Sequence, residues 1–301
     1  MNNRQFRALA KPYVVKDGRR FRLKKFDPKG PGRSAMQHGT KKFLKKSVGA
    51  LSELQEKLYA QDRWGVLLIF QAMDGAGKDS AIKHVMSGID PKGCQVYAFK
   101  SPSPEELDHD FMWRTSKCMP ERGRIGIFNR SYYEETLAVR VHPEYLGRQK
   151  VPSELISKNL WRQRFQDINA FERYMARNGF VILKFFLNVS RAEQRRRFME
   201  RLDRPEKNWK FSIGDLAARE RWRSYMAAYE ETIRATATPH APWVVIPGDN
   251  KRFARTVVAA AVIDALNSLK LEFPTIDADQ KKDLARARRA LNAESRRATK
   301  S

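Results

Sequence analysis

Two glycines and a lysine stand close together between Gln71 and Ser80, and these residue types suit the binding of phosphate groups. Gly75 and Gly77 let backbone N–H groups close around phosphate oxygens, and Lys78 supplies a full positive charge. A short apolar run precedes the glycines, and residues with helical spacing follow them. This order of strand, loop and helix is typical of a phosphate-binding loop.

The loop departs from the usual phosphate-binding pattern at two positions. Ala72 stands in place of a glycine, and Asp79 follows the lysine where serine or threonine is usual. A chance Gly-x-Gly-Lys sequence on a surface turn therefore stays open as an alternative. The loop residues predicted to bind phosphate or nucleotide are Gly75, Ala76, Gly77, Lys78, Asp79 and Ser80.

A second group of polar residues follows the apolar run that ends at Asn129. Arg130 and Glu134 come next in the chain, and in an open α/β sheet this edge carries the ligand sites. Many proteins with such loops have an acidic residue in place of Asn129 to hold a metal ion, and here Asp74 and Glu134 are the available carboxylates. Their hard oxygens suit Mg²⁺, which binds phosphates through one or two carboxylates. For Glu134, a solvated first helical turn is the alternative.

An arginine-rich stretch, Arg191 to Trp209, follows the strand candidate Val181 to Val189. In that place it resembles the mobile lid of phosphoryl-transfer enzymes, where arginines stabilise charge on the transferred group and closure excludes water. We place this lid at about residues 190–215. An exposed helix that carries many charges is the alternative interpretation.

Two lone lysines lie near the same predicted edge. Lys83 is on the helix after the loop, and Lys100 comes just beyond the second strand candidate. Either could point at a phosphate chain, although lone lysines are usually solvated. The histidines have no metal-binding spacing, and there is no Gly-x-Ser-x-Gly sequence. Zinc-dependent and serine-dependent hydrolysis therefore have no support.

The elements that must position these residues alternate along the chain. Near-continuous apolar strands separated by helices indicate a parallel sheet covered on both faces. The strand candidates are Gly65–Phe70, Cys94–Phe99, Arg124–Asn129, Val181–Val189 and Trp243–Pro247. The sequence thus predicts an α/β, three-layer fold with a central parallel sheet of about five strands.

Spacing and capping residues also predict helices. Apolar residues from Leu44 to Leu58 recur on one helical face. Ser103 precedes a proline and two glutamates, which is typical of a helix start. We expect Pro152-Ser153-Glu154 to open a long helix with a buried stripe.

The chain has 301 residues and a formal net charge of +25. Most of the excess of Lys and Arg lies in residues 1–50 and 281–301, so the basic character belongs to the flanks. Solvated tails are the commoner explanation of such runs, while nucleic acid or inorganic polyphosphate would fit a binding role. We divide the chain into a basic, extended N-terminal arm (1–35), a catalytic domain (36–273) and a basic C-terminal tail (274–301).

The composition also bears on the compartment. The longest apolar stretches fall well short of a membrane span, and no signal sequence precedes a small-residue cleavage site. Cys94 and Cys118 are too few for a disulfide framework and lack metal-ligand spacing. We therefore expect a soluble, cytoplasmic protein with no membrane partner.

Several of these segments together resemble the polyphosphate kinase 2 family. The matching segments, in order, are Met73–Asp79, Phe128–Glu135, Pro205–Ser212, Tyr225–Glu230 and Thr238–Trp243. The resemblance covers roughly Lys11–Phe273. Asn129 with Glu134 is similar to the third class of the family, since the first two classes carry aspartate at the former position. The departures at Ala72 and Asp79 match the relaxed loop of this family.

The resemblance implies a P-loop kinase fold with a helical lid, and transfer of a phosphoryl group between inorganic polyphosphate and a nucleotide. Members of the third class phosphorylate nucleoside monophosphates and diphosphates, so AMP and ADP are the implied acceptors and ATP is a product. Mg²⁺ is the implied cofactor. A homo-oligomer, dimer or tetramer, is expected because family members generally assemble in that way.

The resemblance also assigns roles to residues. It implies that Asp74 holds metal near the attacking phosphate oxygen, and that Lys78 contacts the transferred group. Asn129 and Glu134 would shape a second metal site or the acceptor region. The basic residues implied to bind phosphate or nucleotide are Lys83, Lys100, Arg130, Arg201, Arg204 and Lys207, with Arg130 and Arg201 also in the catalytic set.

Two other functions stay open on the sequence. An ATP-dependent nucleoside monophosphate kinase would share the loop, the sheet and the lid. A nucleic-acid-binding module could use the basic flanks, but these lack the interleaved aromatic residues that stack on bases. We accordingly expect no specific nucleic-acid partner.

Overall fold

The computed structural model describes residues 3–32 and 40–298. The chain divides into two compact units, Met1–Leu271 and Glu272–Ser301. The first unit holds a six-stranded sheet with apolar clusters on both of its faces. The second holds the helix Ala278–Ala298, in which residues 278–294 are exposed.

The elements have the following bounds. The strands are β1 (Val14–Val15), β2 (Gly65–Gln71), β3 (Cys94–Ala98), β4 (Ile125–Asn129), β5 (Phe180–Asn188) and β6 (Trp243–Pro247). The α-helices are α1 (Asn3–Ala10), α2 (Thr40–Gln61), α3 (Lys78–Met86), α4 (Pro104–Leu107), α5 (Trp113–Ser116), α6 (Pro143–Leu146), α7 (Leu160–Arg177), α8 (Arg191–Leu202), α9 (Pro205–Asn208), α10 (Ile213–Glu220), α11 (Trp222–Thr236), α12 (Lys251–Ser268) and α13 (Ala278–Ala298). The 3₁₀-helical turns are Lys11–Tyr13, Leu23–Lys25, Pro91–Gly93, Tyr132–Glu134 and Ser153–Leu155, and Glu135–Val139 forms a π-helical turn.

The sheet has the order β1-β6-β5-β2-β4-β3, in which β1 runs antiparallel to β6 and the other neighbours are parallel. Phe70 of β2 aligns with Asn129 of β4 and with Phe185 of β5. The loops after these strands therefore meet at one edge of the sheet. The predicted α/β fold and its five parallel strands are confirmed. The additional strand β1 was missed because two residues carry no detectable period.

The core lies on both faces of the sheet, as the apolar strands predict. All residues of β2 are buried. Val85 of α3 and Val257 of α12 belong to the cluster on one face, and Ile168 of α7 and Ile233 of α11 belong to the other. Within the described residues, no helix combines the length and the apolar character needed to cross a membrane.

The helix start predicted at Ser103 is confirmed. The Ser103 hydroxyl accepts a hydrogen bond from the Glu106 N–H (3.2 Å), and the Glu106 carboxylate accepts one from the Ser103 N–H (2.8 Å). This reciprocal pair opens α4. The predicted amphipathic helix is α2, which buries Leu51 and Leu58.

The N-terminal segment is not the extended arm expected from its composition. Residues 3–32 include α1 and β1, and Phe6, Ala10 and Leu23 are buried in the core. Apolar residues that stand among the many basic ones form the buried face of this segment. The expectation of an extended arm rested on the net charge and the composition, which do not show this face. The predicted start of the catalytic domain at residue 36 lies outside the described residues.

The long helix predicted to open at Pro152-Ser153-Glu154 begins later. Ser153–Leu155 forms only a 3₁₀ turn, and α7 starts at Leu160. Leu155 is 61% exposed, whereas Leu160 is 6% exposed. Most of the stability of a helix in a protein comes from packing, so the helix starts where packing starts.

A fully buried ion pair crosses between the sheet and α7. Lys184 of β5 and Glu172 of α7 are both 0% exposed, and Nζ lies 2.6 Å from Oε2. The hydroxyls of Tyr132 and Tyr133 donate to Glu172 Oε1 at 2.9 and 2.8 Å, and Lys184 also donates to the Thr236 carbonyl at 2.8 Å. Burial lowers the pKa of Lys184, and the Glu172 carboxylate opposes that change.

Replacing Glu172 by Gln removes one charge of this pair and leaves the Lys184 ammonium buried without its counter-charge. We expect the free energy of unfolding to fall by about 3–5 kcal/mol, because an uncompensated charge in the core is costly. Urea denaturation followed by circular dichroism measures this change. Glu53→Gln is the matched control, since Glu53 pairs with Lys57 at the surface and exposed pairs contribute at most about 1 kcal/mol. Equal losses in the two variants would contradict the prediction.

Candidate active site

The glycine-rich loop connects the carboxyl end of β2 to the first residue of α3, as predicted. Gly75 and Gly77 have φ angles of +79° and +103°, which glycine adopts without strain. A Cβ atom on Gly75 would lie 2.7 Å from the Phe198 ring. Close packing of α8 on the loop thus requires glycine at this position.

Two side chains of α8 hold the loop by its carbonyl oxygens. Gln194 Nε2 donates to the Asp74 carbonyl at 2.8 Å, and Arg197 Nη1 donates to the Ala76 carbonyl at 2.6 Å. Since the C=O and N–H of a planar trans peptide point in opposite directions, these bonds turn the N–H groups of Gly75 and Gly77 to the other side of the loop. That orientation suits an anion in front of the loop.

Arg197 also connects the loop to the end of β6, the strand that neighbours β5. Its Nη2 donates to the Gly248 carbonyl after β6 at 2.6 Å, and its Nε donates to Glu193 at 2.7 Å. The side chain is only 4% exposed. A planar guanidinium with several donors in a fixed fork is the group that can bridge such partners.

Asp74, Lys78 and Arg130 meet in front of the loop. Arg130 Nη2 donates to Asp74 Oδ1 at 2.8 Å, and Lys78 Nζ lies 3.8 Å from the same oxygen and donates to the Ala72 carbonyl at 2.8 Å. Burial raises the pKa of Asp74, but the charges of Lys78 and Arg130 outweigh it and hold that pKa below its usual value. Asp74 is therefore an ionised carboxylate between two cations. Burial lowers the pKa of Lys78, against the effect of Asp74.

Both carboxylates predicted to bind metal act electrostatically on Arg130. The charge of Glu134 raises the pKa of Arg130, whereas burial lowers it, and the charge of Asp74 raises it further. Glu134 accepts a hydrogen bond from Gln71 Nε2 at 3.2 Å. Arg130 has a φ of +67°, an unusual conformation for a residue with a side chain, and its N–H donates to the Phe70 carbonyl at 3.0 Å. The hydrogen bond to β2 thus helps to hold Arg130 in this strained conformation at the edge of the sheet.

Two of the three residues that depart from the usual patterns, Asp79 and Asn129, contact each other. Asn129 Nδ2 donates to Asp79 Oδ1 at 2.8 Å, which connects the end of β4 to the first turn of α3. An acidic residue is favourable at a helix N-terminus. The next loop residue, Ser80, accepts a hydrogen bond from Arg255 Nη2 at 2.5 Å.

The predicted lid consists of α8, α9 and the first part of α10. Arg201 Nη1 donates to Asp215 Oδ2 at 3.2 Å. The charge of Arg201 also lowers the pKa of Asp74. Burial and then the charge of Asp74 raise the pKa of Asp215, although Arg201 opposes them. Arg204 and Lys207 instead pair with Glu200 within the lid, at 3.6 and 2.6 Å.

The structure therefore brings together only part of the predicted set. Asp74, Lys78, Arg130 and Glu134 form one cluster, with Arg201 near it. Among the described contacts, Lys83 and Lys100 do not reach this cluster, and both lysines are exposed. Their predicted roles, and those of Arg204 and Lys207, stay predictions.

Helix α11 borders the cluster. Burial raises the pKa of Tyr225, and the negative charges of Glu134 and Asp74 raise it further, so the phenol stays protonated. The same causes raise the pKa of Tyr229 well above its usual value. Two neutral hydroxyl groups on one face of α11 therefore lie close to the charged residues.

Sequence reasoning missed Gln71, Gln194, Arg197 and Asp215. Nothing distinguishes Arg197 from neighbouring arginines in the lid segment when each is considered alone. Gln194 lies one turn earlier on the same helical face, and this spacing is the one signal that could have singled out the pair.

The arrangement can bind polyanions and position them. The turned N–H groups of Gly75 and Gly77 lie near Lys78 and Arg130 at the carboxyl edge of the sheet, and the Asp74 carboxylate stands beside both cations. Such preorganised positive groups stabilise charge on phosphoryl oxygens without reorganising when the reaction occurs.

Known proteins are similar to this chain in sequence and in fold. Residues 35–274 match the family model described as Polyphosphate kinase 2. An ADP-polyphosphate phosphotransferase of Rhodopseudomonas palustris is 47% identical over 283 residues, covering 93% of this chain and 98% of the relative. An AMP/ADP-polyphosphate phosphotransferase of Meiothermus ruber is 41% identical, covering 88% of this chain and 95% of the relative. The crystal structure of polyphosphate kinase 2 from Arthrobacter aurescens TC1 superimposes with a TM-score of 0.82 at 38% identity, covering 92% and 96% of the two chains.

Arg197→Lys tests the bonds that hold the loop. Lysine keeps the charge but lacks the planar fork, so we expect the affinity for inorganic tripolyphosphate to fall at least about tenfold, or about 1.4 kcal/mol. Isothermal titration calorimetry measures this affinity. Arg196→Lys is the matched control, since Arg196 also binds Glu193 but is exposed. The prediction fails if the two variants bind tripolyphosphate equally well.

Proposed function

This chain belongs to the polyphosphate kinase 2 family, and we propose that it transfers a phosphoryl group between inorganic polyphosphate and nucleoside mono- and diphosphates. AMP is converted to ADP and ADP to ATP. The observation that carries the proposal is the Asp74 carboxylate, ionised between Lys78 and Arg130 in a phosphate-binding loop. The likeness to an ADP-polyphosphate and an AMP/ADP-polyphosphate phosphotransferase supports it.

The proposed reaction needs little proton transfer. A terminal phosphate of AMP or ADP is already ionised at neutral pH, so the acceptor needs no strong general base. What the reaction does need is alignment of two polyanions that repel each other. Lys78, Arg130 and the N–H groups of the loop supply positive charge where the chains meet, and Arg201 adds charge from the lid.

The residues present fit the Mg²⁺ that the family implies. Asp74 and Glu134, whose charges both act on Arg130, are the carboxylates that would hold the ion. Among the described residues, no group of three or more side chains could form a complete metal site. Mg²⁺ needs only one or two carboxylates when phosphates and waters supply the other ligands. When bound, the ion would neutralise charge on the phosphate oxygens.

The acceptor range follows from the class. Asn129 with Glu134 resembles the combination found in the third class of the family. In this structure Asn129 donates a hydrogen bond to Asp79 at the start of α3. The proposal therefore includes both monophosphate and diphosphate acceptors. It also includes a homo-oligomer, dimer or tetramer, which light scattering on the purified protein would test.

The proposed reaction is tested with ADP, Mg²⁺ and long-chain polyphosphate in the absence of added ATP. We expect ATP to form while polyphosphate is consumed, and AMP in a parallel reaction to yield ADP. An ATP-dependent monophosphate kinase would make no ATP from polyphosphate. A nucleic-acid-binding module would instead show salt-sensitive binding of DNA or RNA that survives the loss of Lys78.

Asp74→Asn should remove most activity while the protein stays folded. Loss of this carboxylate removes a proposed metal ligand and the partner of Lys78 and Arg130, so we expect turnover to fall on the order of 10²-fold. ATP formation and the melting temperature are measured together. Asp108→Asn is the control, because Asp108 is exposed and pairs with Lys150 at the surface. Turnover near wild type in Asp74→Asn would overturn the metal assignment.

A further inference from the structure

Helix α13 carries its positive charges on one half of its surface. Successive residues of an α-helix lie about 100° apart around the helix axis, and the basic residues between positions 278 and 294 fall within one arc of about 160°. The acidic residues of the same stretch lie outside this arc, as do Leu284 and Leu291. The residues of this basic face are Lys281, Lys282, Arg286, Arg288 and Arg289.

The basic face is exposed, and most of its charge is not neutralised. All of its residues are exposed to solvent. Lys282 Nζ lies 2.9 Å from Asp279 Oδ1, whereas the three arginines have no carboxylate within ion-pair distance among the described residues. Lys282, Arg286 and Arg289 follow one another at spacings of four and three positions, where like charges on a helix repel each other. An anion that contacts several of these cations at once would relieve this repulsion.

A linear polyanion is the partner that the basic face fits best. Its closely spaced charges can neutralise several cations together and release the small ions that surrounded both partners. The sequence of α13 contains no aromatic residue, so the helix has no side chain that could stack on a nucleobase. The face therefore favours a polyanion without bases, such as inorganic polyphosphate, over a nucleic acid.

The apolar side of α13 is too small to favour a membrane surface. Leu284 and Leu291 are 58% and 64% exposed, and the apolar residue between them on that side is Ala287. Helices that lie on membranes bury a broader face, often with tryptophan and phenylalanine. The charges of α13 are thus a better guide to its partner than its leucines.

The helix is joined to the unit that carries the reacting groups by a short segment. Residues 272–277 link Leu271, the last residue of the first unit, to the start of α13. A polyanion held by α13 therefore stays at high effective concentration for the rest of the same chain. A long chain has phosphates to spare for such a contact, but a short chain bound at the glycine-rich loop has none left to offer α13.

We propose that the basic face of α13 is an accessory binding surface for long-chain inorganic polyphosphate. The inference rests on the proposed function, because that reaction supplies polyphosphate as the ligand. The surface takes no part in the chemical step. It raises the affinity for long chains and leaves the affinity for short chains unchanged.

The combined replacement of Lys282, Arg286 and Arg289 by glutamine tests this surface. Calorimetry without nucleotide measures the dissociation constant of long-chain polyphosphate, which we expect to rise at least about fivefold, with a weaker dependence on salt. The dissociation constant of tripolyphosphate should stay as in wild type. Circular dichroism checks that the variant keeps its helix content.

The matched control removes the same number of exposed cations from the N-terminal segment, by replacing Arg4, Arg7 and Lys11 with glutamine. We expect this control to bind long-chain polyphosphate as wild type does. An equal loss in both variants would mean that the net charge alone attracts the chain, and would overturn the inference. Arg286→Lys combined with Arg289→Lys keeps the charge and should keep the affinity, so a loss in that variant also contradicts the inference.

Two further outcomes separate the inference from its alternatives. If the glutamine variant of α13 loses binding of single-stranded DNA but keeps that of polyphosphate, the partner is a nucleic acid and the inference is wrong. ATP formation is measured on the same preparations. If wild type forms no ATP from polyphosphate but the α13 variant loses polyphosphate binding, the proposed function fails while this inference stands.

Discussion

The site depends on one set of hydrogen bonds, those that α8 donates to the carbonyl oxygens of the glycine-rich loop. Gln194 and Arg197 bind the carbonyls of Asp74 and Ala76 from behind. Peptide geometry then turns the following N–H groups towards the front. The positive φ angles of Gly75 and Gly77 permit this conformation of the loop, and the hydrogen bonds from α8 stabilise it. The loop and α8 are thus coupled at the proposed substrate site.

In front of the loop, charges of opposite sign alternate. Lys78, Asp74, Arg130 and Glu134 each have an opposite charge as a neighbour, and this order keeps Asp74 ionised against the cost of burial. An unpaired lysine or carboxylate in the same place would lose its charge. The cations proposed to bind phosphate oxygens are therefore held together with their counter-charges. Such preorganisation is the main way in which a protein can accelerate phosphoryl transfer.

Behind the site, a polar network in the core anchors the segment that carries two of these charges. Tyr132 and Tyr133 lie between Arg130 and Glu134 in the chain, and both donate to the buried Glu172. Glu172 in turn pairs with Lys184 on β5. A buried network of this kind is tolerated only when every member has its partners. Since these partners come from separate elements, the network specifies how β5, α7 and the segment after β4 fit together.

The sequence by itself determined the features that depend on residues close together in the chain, namely the strands and the residues at their ends. Apolar runs marked the parallel strands, and the residues at their ends, among them Asp74, Lys78 and Arg130, were placed at one edge because parallel strands end together. Only the tertiary structure decided that Arg197 is buried while Arg196 beside it is exposed, since the partners of Arg197 lie at Ala76 and Gly248. The folding of the N-terminal segment onto the core likewise depends on residues distant in the chain, since Leu23 bonds Glu230 and Phe26 bonds Asn188. Burial and partners are set by residues far apart in the chain, and a local pattern contains no information about them.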